Sequence, residues 1–440
     1  MAGLLQNKPL LCDNIPWVEA LRQKGRRAFE EQGLPTAKTE YWQYTKPRDL
    51  NADDFVMQNS EDYEFLTRDE HHHCDCGGNC SCGHHDETEG IDLNNRLLPF
   101  DAYYLYFANG MFIPMYPALP AGVEVKPLAE ALADGEAKPY LGKLVDIEKH
   151  PFAALNTAYL EEGVFLRIQA GVKLNKPLVI WNHTEVDDEN VFYNLRHLII
   201  LETGAEAEIF EYSDYCGAEK SRYFANSVNE IFLSADAVLR HYKLQDEAYK
   251  ANHVALTAVR AKAAARYHNF CFQRGANFGR NEVIVNLCEE QAAAEVNAAY
   301  KMSGWATLDF TTDIEHLAPA TFSGQLVKGV VDGDARGVFQ GKIEIHPDCV
   351  ATEGHQLHRA ILLSDTAEVD VKPELKIYAD DVKCSHGAAT GELDEDQLFY
   401  MQSRGIDVDE ARRILVEAFL DDVLLKIENE AIRAYVKSRV

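Results

Sequence analysis

From about residue 163 to residue 390 the chain alternates apolar and polar residues in short runs, and this pattern constrains its fold most. One run reads TLDFTTDI over residues 307–314, and another reads FQGKIEI over residues 339–345. A period of two is typical of β-strands that bury one face and expose the other. The region is therefore predicted to be mainly β.

Small-residue segments separate these strands at a loose, regular spacing. They are GAEAE at 204–208, SADAV at 234–238, AKAAA at 261–265, EQAAAE at 290–295, GWATL at 304–308 and GDARG at 333–337. Four of them begin 27 to 30 residues after an earlier one. Short strands joined by tight corners at such a period are typical of the stacked coils of a β-solenoid. Periodicity alone does not separate a solenoid from a β-sandwich array.

The segments before this region have a different character. Asn14, Pro16 and an apolar stripe that ends at Gly33 predict a helix near residues 15–32. Residues 97–120 are rich in aromatic side chains and predict short strands, and residues 127–160 predict helical pieces. We expect an N-terminal helical and mixed region over residues 1–162.

The last fifty residues are predicted to be helical. Asp394 is placed to cap a short helix that ends at Gly405, and Asp407 is placed to cap a second helix. An apolar face follows at helical spacing, and a third helix is predicted to carry Val423, Leu424, Ile427 and Ala431. That face comprises Ala411, Ile414, Leu415, Ala418 and Phe419. Residues 391–440 are therefore expected to form a helical subdomain that covers the end of the 163–390 core.

Composition excludes several classes of protein. The chain of 440 residues exceeds the usual size of a single core, so two or three units are expected. With 43 basic and 71 acidic residues its formal net charge is −28, which argues against nucleic acid or an anionic membrane as the main partner. The first residues do not resemble a signal peptide, and no apolar run reaches the roughly 20 residues of a membrane span. We expect a soluble, cytoplasmic protein.

A segment dense in metal ligands lies at residues 71–86, HHHCDCGGNCSCGHHD. Thiolates and imidazoles at this density favour zinc, copper or iron once the thiols lose their protons. The alternative is a polar insertion without function. The candidate metal ligands are Cys74, Cys76, Cys80, Cys82, His71, His72, His73, His84 and His85.

A second candidate site is the pair Cys384 and His386, where the β region gives way to the C-terminal helices. Residues at i and i+2 of a strand project to the same face, so a thiolate and an imidazole would lie side by side. Thiolate favours soft metals and iron–sulfur clusters. Two ligands do not complete a four-ligand site, so other segments or another chain must supply the rest. The alternative is a buried cysteine beside an ordinary histidine.

Two motifs carry a resemblance to a known family. The segment CSHGAATGELDEDQLFYMQSRGI at 384–406 and the segments GLP at 33–35 and EYWQYT at 40–45 resemble the SufB/SufD family of iron–sulfur cluster assembly scaffolds. The reading CSHG is similar to the SufD branch, since the SufB branch typically reads CEHEA there. The resemblance covers nearly the whole chain except about 25 residues around 66–90, and the family pattern lacks the 71–86 segment.

The resemblance implies a right-handed parallel β-helix core and a non-catalytic scaffold. It implies that the chain pairs with SufB, that Cys384 and His386 lie at that interface, and that a nascent iron–sulfur cluster forms there with a further ligand from SufB. It also implies that the C-terminal helices bind the ATPase SufC. The chain itself has no phosphate-binding loop. Residues 337–342 are the nearest match, but they are one residue too short for that motif and are not followed by its Ser or Thr. Self-association into a homodimer, when the chain is alone, stays open.

One alternative belongs to another class of function. A β-helix is also the fold of enzymes that act on polysaccharides, and such enzymes normally act outside the cell. The absence of a signal-peptide pattern argues against this alternative.

Overall fold

The structure is a computed structural model, and it describes residues 5, 9–45, 47, 50, 55–58, 97–113, 118–186, 190–217 and 222–440. The ligand-dense segment 71–86 lies outside the described residues. Within the described part of the chain, no helix combines the length and the apolar character needed to cross a bilayer.

Two ten-stranded sheets face each other and form a parallel solenoid, which confirms the fold predicted from the sequence. Consecutive long strands alternate between the sheets, so β7 pairs with β9 and β8 pairs with β10, both in parallel. Among the described strands, only the pairs β2–β3 and β4–β5 are antiparallel. The strands are Val56–Met57 (β1), Tyr103–Ala108 (β2), Met111–Ile113 (β3), Val123–Pro127 (β4), Val164–Ile168 (β5), Leu178–Val186 (β6), Val191–Leu201 (β7), Glu206–Gly217 (β8), Tyr223–Leu233 (β9), Val238–Glu247 (β10), Asn252–Ala261 (β11), Arg266–Gly275 (β12), Phe278–Leu287 (β13), Ala293–Met302 (β14), Thr307–His316 (β15), Phe322–Val331 (β16), Arg336–Ile345 (β17), Thr352–Leu362 (β18), Glu368–Ile377 (β19) and Val382–Glu392 (β20).

The small-residue segments form the corners of the coils. Asp236, Ala264 and Gly333 take positive φ values of 57°, 53° and 65° there. Small or short polar residues fit these corners because a positive φ crowds a bulky side chain. Between the sheets, most alternate residues of the long strands enter one apolar core. Polar side chains such as Glu211 and His241, which bond to each other at 2.8 Å, are buried among them.

Six helices surround the solenoid in the described part of the chain. They are Pro16–Gln32 (α1), Leu128–Ala133 (α2), Pro151–Ala158 (α3), Glu395–Ser403 (α4), Val408–Leu424 (α5) and Glu430–Lys437 (α6). The helix predicted near residues 15–32 is confirmed as α1, although Ile15, not Asn14, occupies the N-cap position and makes no side-chain cap. The predicted Asp394 and Asp407 caps are confirmed, since their carboxylates accept backbone N–H groups of the first turn.

The C-terminal helices do not cover the end of the solenoid, contrary to the prediction. Instead α5 and α6 lie along the outer face of the second sheet, where Val416, Leu420 and Ile432 pack against aromatic residues such as Phe210 and Phe272. Val423 and Leu424 belong to α5, not to the third helix, because α5 continues to Leu424. The outer faces of β8 and β12 are apolar at these positions. Removal of this surface from water is favourable, and α5 and α6 cover it.

The buried face of α5 is also displaced from the predicted one. Val416, Leu420 and Val423 are buried, whereas Ala418 is exposed and Leu415 is half-buried. The predicted face and the observed buried face both have helical spacing, so periodicity alone did not distinguish between them. Part of the predicted face therefore remains available on the surface.

The last coil, β19 and β20, ends the solenoid. β19 is the terminal strand of the first sheet and β20 is the terminal strand of the second. In the described part of the chain no further strand pairs with their outer edges. Core-facing residues of this coil, including Val369, Val371 and Val382, are only partly buried. The solenoid therefore presents an open apolar end.

Candidate functional site

The Cys384 and His386 pair lies on β20, at this open end. Parallel pairing with β18 sets Cys384 beside Gly354 and His386 beside Gln356. Cys384 packs against the solenoid core, and His386 shares its face because it is two residues further along the strand. The alternate residues Lys383 and Ser385 lie on the opposite face, where Lys383 pairs with Glu353 at 2.6 Å and Ser385 bonds to His355 at 2.8 Å. The thiol and the imidazole therefore lie on the same face of β20, as the alternation of the strand predicted.

Exposure distinguishes the two members of the pair. Cys384 is half-buried and His386 is exposed. Burial raises the pKa of the Cys384 thiol, while a backbone hydrogen bond at Gly354 opposes that shift. Since the thiolate is the form that binds soft metals, the thiol must lose its proton when a metal arrives. A neighbouring imidazole can accept that proton or donate its own nitrogen to the metal.

A layer of polar side chains lies one coil below the pair. The imidazole of His358 bonds through Nε2 to the hydroxyl of Tyr300 at 2.9 Å and stacks on the ring of Phe339 at 5.3 Å. Burial lowers the pKa of His358 to about 4, so the ring is neutral. Its Nδ1 and the amide oxygen of Gln356 are buried without a hydrogen-bond partner among the described residues. No local sequence pattern indicates this contact, because Tyr300 lies 58 residues from His358.

The donor set of this site is incomplete. No group of three or more His, Cys, Asp or Glu side chains that could hold a metal ion occurs among the residues that the structure describes. The pair therefore fits half of a four-ligand site, and the open end leaves room for ligands from outside this chain. The candidate ligands of the 71–86 segment lie outside the residues that the structure describes.

The other cysteines that the structure describes, and the buried His316, have structural positions. Cys216, Cys271 and Cys349 are buried, and Cys12 and Cys288 are half-buried. The buried imidazole of His316 is held by the hydroxyls of Thr321 and Ser323 at 2.7 and 2.8 Å. Apart from Cys12, which lies in the N-terminal segment, these side chains are part of the interior and edges of the coils.

A second exposed feature lies on the C-terminal helices. Phe399 and Tyr400 on α4 are 72% and 59% exposed, and Leu425 after α5 is 64% exposed. Tyr400, Met401 and Leu415 line an apolar hollow between α4 and α5. Exposed apolar side chains such as these are available for contact with another protein. This surface, which we call the α4–α5 surface, includes Leu415 of the face predicted from the sequence.

The comparisons with known proteins identify the class of this solenoid. The family model "SUF system FeS cluster assembly, SufBD core domain" matches residues 183–419. The model "SufBD protein N-terminal region" matches residues 5–79 and 96–180. The chain belongs to the SufBD family of iron–sulfur cluster assembly proteins, as the motifs at 33–45 and 384–406 indicated. The polysaccharide-enzyme alternative is not favoured.

Curated relatives agree with this assignment over most of their length. The chain is 30% identical over 407 residues to an iron–sulfur cluster assembly SufBD family protein of Synechocystis, covering 90% of this chain and 84% of the relative. It is 27% identical over 414 residues to the iron–sulfur cluster assembly protein SufD of Escherichia coli, covering 93% and 89%. It is 25% identical over 299 residues to SufD of Bacillus subtilis, covering 67% of each chain.

Proposed function

We propose that this chain is the SufD-type scaffold subunit of a cytoplasmic complex that builds iron–sulfur clusters. In this proposal the open solenoid end pairs with a SufB-type subunit, and the nascent cluster is cargo held between them. One observation carries the proposal: Cys384 and His386 share one face of β20, in a coil whose outer edges have no partner strand in the described part of the chain. An edge strand of this kind is a template for pairing with another chain.

The incomplete donor set supports an interface in preference to a closed metal site. A cluster needs several thiolate or equivalent ligands, and this end offers one thiol and one imidazole. Cys384 and His386 would contribute to the cluster from one side, and a thiol of the SufB-type partner would contribute from the other. The half-exposed apolar residues Val369, Val371 and Val382 would be covered by the same contact.

We further propose that the α4–α5 surface binds a SufC-type ATPase. The exposed rings of Phe399 and Tyr400 are the kind of apolar anchor on which protein interfaces depend. The connection between this surface and the cluster site is short, because β20 ends at Glu392 and α4 begins at Glu395. A movement of α4 would therefore reach the strand that carries Cys384. In this scheme the chain is non-catalytic and ATP hydrolysis belongs to the partner.

Copurification tests the pairing with a SufB-type subunit. Tyr378, just after β19, is 60% exposed at the open end, and Tyr249, at the distant β10–β11 corner, is 67% exposed. Tyr378→Asp places a charge against the proposed interface and should reduce recovery of the SufB-type partner at least tenfold. Tyr249→Asp is the matched control and should leave recovery unchanged. Equal recovery with both variants would remove the open end from the interface.

A further inference from the structure

A groove lies on the outer face of the first sheet, away from the cluster site. It encloses about 730 Å³ between the loop at 139–143 and the corners of the coils that contain β7, β9 and β11. Its floor is apolar, since Ile200 and Phe232 are adjacent in the parallel register. The ring of Tyr140 meets the ring of Phe232 edge-on at 5.1 Å and forms one wall.

A buried carboxylate holds the loop that forms this wall. Glu230 is fully buried and accepts hydrogen bonds from the backbone N–H groups of Gly142, Lys143 and Leu144 at 2.7, 2.9 and 2.9 Å. Arg196 donates to the same carboxylate at 2.6 Å. Three consecutive N–H groups on one charged acceptor fix the backbone of the loop. The groove is therefore shaped before any ligand arrives.

Three basic side chains surround the floor. Lys143, Arg260 and Lys262 line the groove, and none of them forms an ion pair with a residue that the structure describes. The one lining carboxylate, Glu202, is already bound by Arg167 at 2.7 Å. In a chain with a formal net charge of −28, three cations without carboxylate partners around one groove are unexpected. Their field favours an anion at this position.

We propose that this groove binds a small phosphate-bearing molecule with a planar ring, of mononucleotide size. The guanidinium of Arg260 and the two ammonium groups suit a phosphate, and the ring of Tyr140 with the floor of Phe232 and Ile200 suits a flat apolar group. The volume lies in the range of small-molecule sites. The site is distinct from Cys384 and His386, so the proposal does not depend on the cluster function.

Calorimetric titration of the full chain tests the proposal, with AMP as the probe and adenosine and inorganic phosphate as partial probes. AMP should bind more tightly than either partial probe, and its binding should weaken as salt is added. The double variant Arg260→Gln, Lys262→Gln should reduce AMP affinity at least tenfold. Lys250→Gln, which removes an exposed charge at another corner, should not change it.

A second variant tests the aromatic wall. Tyr140→Leu should weaken AMP binding and leave phosphate binding unchanged, because only the ring contact is lost. The proposal is overturned if AMP binds no better than phosphate, or if the Arg260 and Lys262 double variant binds AMP like the Lys250 control. Circular dichroism of each variant, with the strand signal unchanged, ensures that lost binding is not lost folding.

Discussion

The guanidinium of Arg280 lies over the indole ring of Trp42, with its central carbon 4.3 Å from the ring centroid. Arg280 is fully buried and donates to the carbonyl oxygen of Tyr41. It also pairs with the carboxylate of Asp309, which accepts a further hydrogen bond from the hydroxyl of Thr45. The EYWQYT segment, one of the motifs of the family resemblance, therefore fastens the N-terminal segment to the outer face of the first sheet. Its role is structural.

Stability measurements should reveal this anchor. Trp42→Ala removes a buried ring that also contacts Phe152 at 5.3 Å, and it should lower the free energy of unfolding by about 3–5 kcal/mol. Trp305 is 81% exposed, and Trp305→Ala is the control, with an expected change within about 0.5 kcal/mol. Urea denaturation of both variants gives the comparison. A Trp42 variant as stable as the control would contradict the anchoring role.

The buried histidines of the solenoid interior should make stability depend on pH. Burial lowers the pKa of His358 to about 4 from an ordinary value of 6.5, so the unfolded chain takes up this proton at a higher pH than the folded chain. The stability that His358 contributes by staying neutral is therefore complete above pH 6.5 and is lost as the pH falls toward 4. Between pH 6.5 and 5 the loss should be about 1.5 kcal/mol.

Variants isolate this contribution from those of other groups. His358→Gln should lower stability at pH 7.5 yet reduce the further loss between pH 6.5 and 5. His316, whose pKa burial also lowers to about 4, should behave in the same way, and the double variant should flatten the slope further. The measurement is the urea midpoint at each pH. A slope identical to that of the unchanged chain would show that these imidazoles do not stay neutral in the fold.

The α4–α5 surface gives a prediction on the ATPase partner. Phe399→Asp places a charge in the proposed interface and should weaken binding of a SufC-type protein at least tenfold, as measured by calorimetry. Trp305→Asp alters an equally exposed ring on the solenoid and should leave binding unchanged. Point variants are preferable to removal of residues 394–440, because α5 and α6 cover the aromatic face of the second sheet. Undiminished SufC binding by the Phe399 variant would move the ATPase site elsewhere.

The segment at 71–86 gives a prediction on metal content. Its four cysteines and five histidines should bind zinc or copper, so its deletion should lower the metal bound per chain. The fold and the complex with the SufB-type partner should persist, since a glycine-rich segment of short polar residues adds little packing. Elemental analysis and copurification measure the two effects. Loss of the complex on deletion would show that the segment has a structural role.

Much of the fold was predictable because the alternation and the corner residues are local patterns. The period of two placed Cys384 and His386 on one face of a strand, and the caps at Asp394 and Asp407 followed from their own first turns. The position of α5 and α6 was not predictable in this way. It depends on aromatic residues of the outer face, such as Phe210 and Phe272, against which the helices pack. The alternation places these residues on the outer face but does not say what covers them.

The environment of the candidate site was predictable only in part. The side-by-side placement of the thiol and the imidazole follows from strand geometry. Other contacts join residues of different coils. His358 contacts Tyr300, 58 residues away, and Arg280 pairs with Asp309, 29 residues away. Contacts of that range depend on the register of the solenoid, which no single motif specifies.

Cluster content of the rebuilt complex tests the central claim most directly. Iron and acid-labile sulfide would be measured on the anaerobically reconstituted complex of this chain with its SufB-type and SufC-type partners. Cys384→Ser and His386→Ala should each keep the complex intact and reduce the cluster formed, and the double variant should be little worse than the more harmful single one. Cys288→Ser, which alters a half-buried thiol just after β13, should retain full content. Full cluster content in both site variants would contradict the account and leave Cys384 and His386 as packing residues of the last coil.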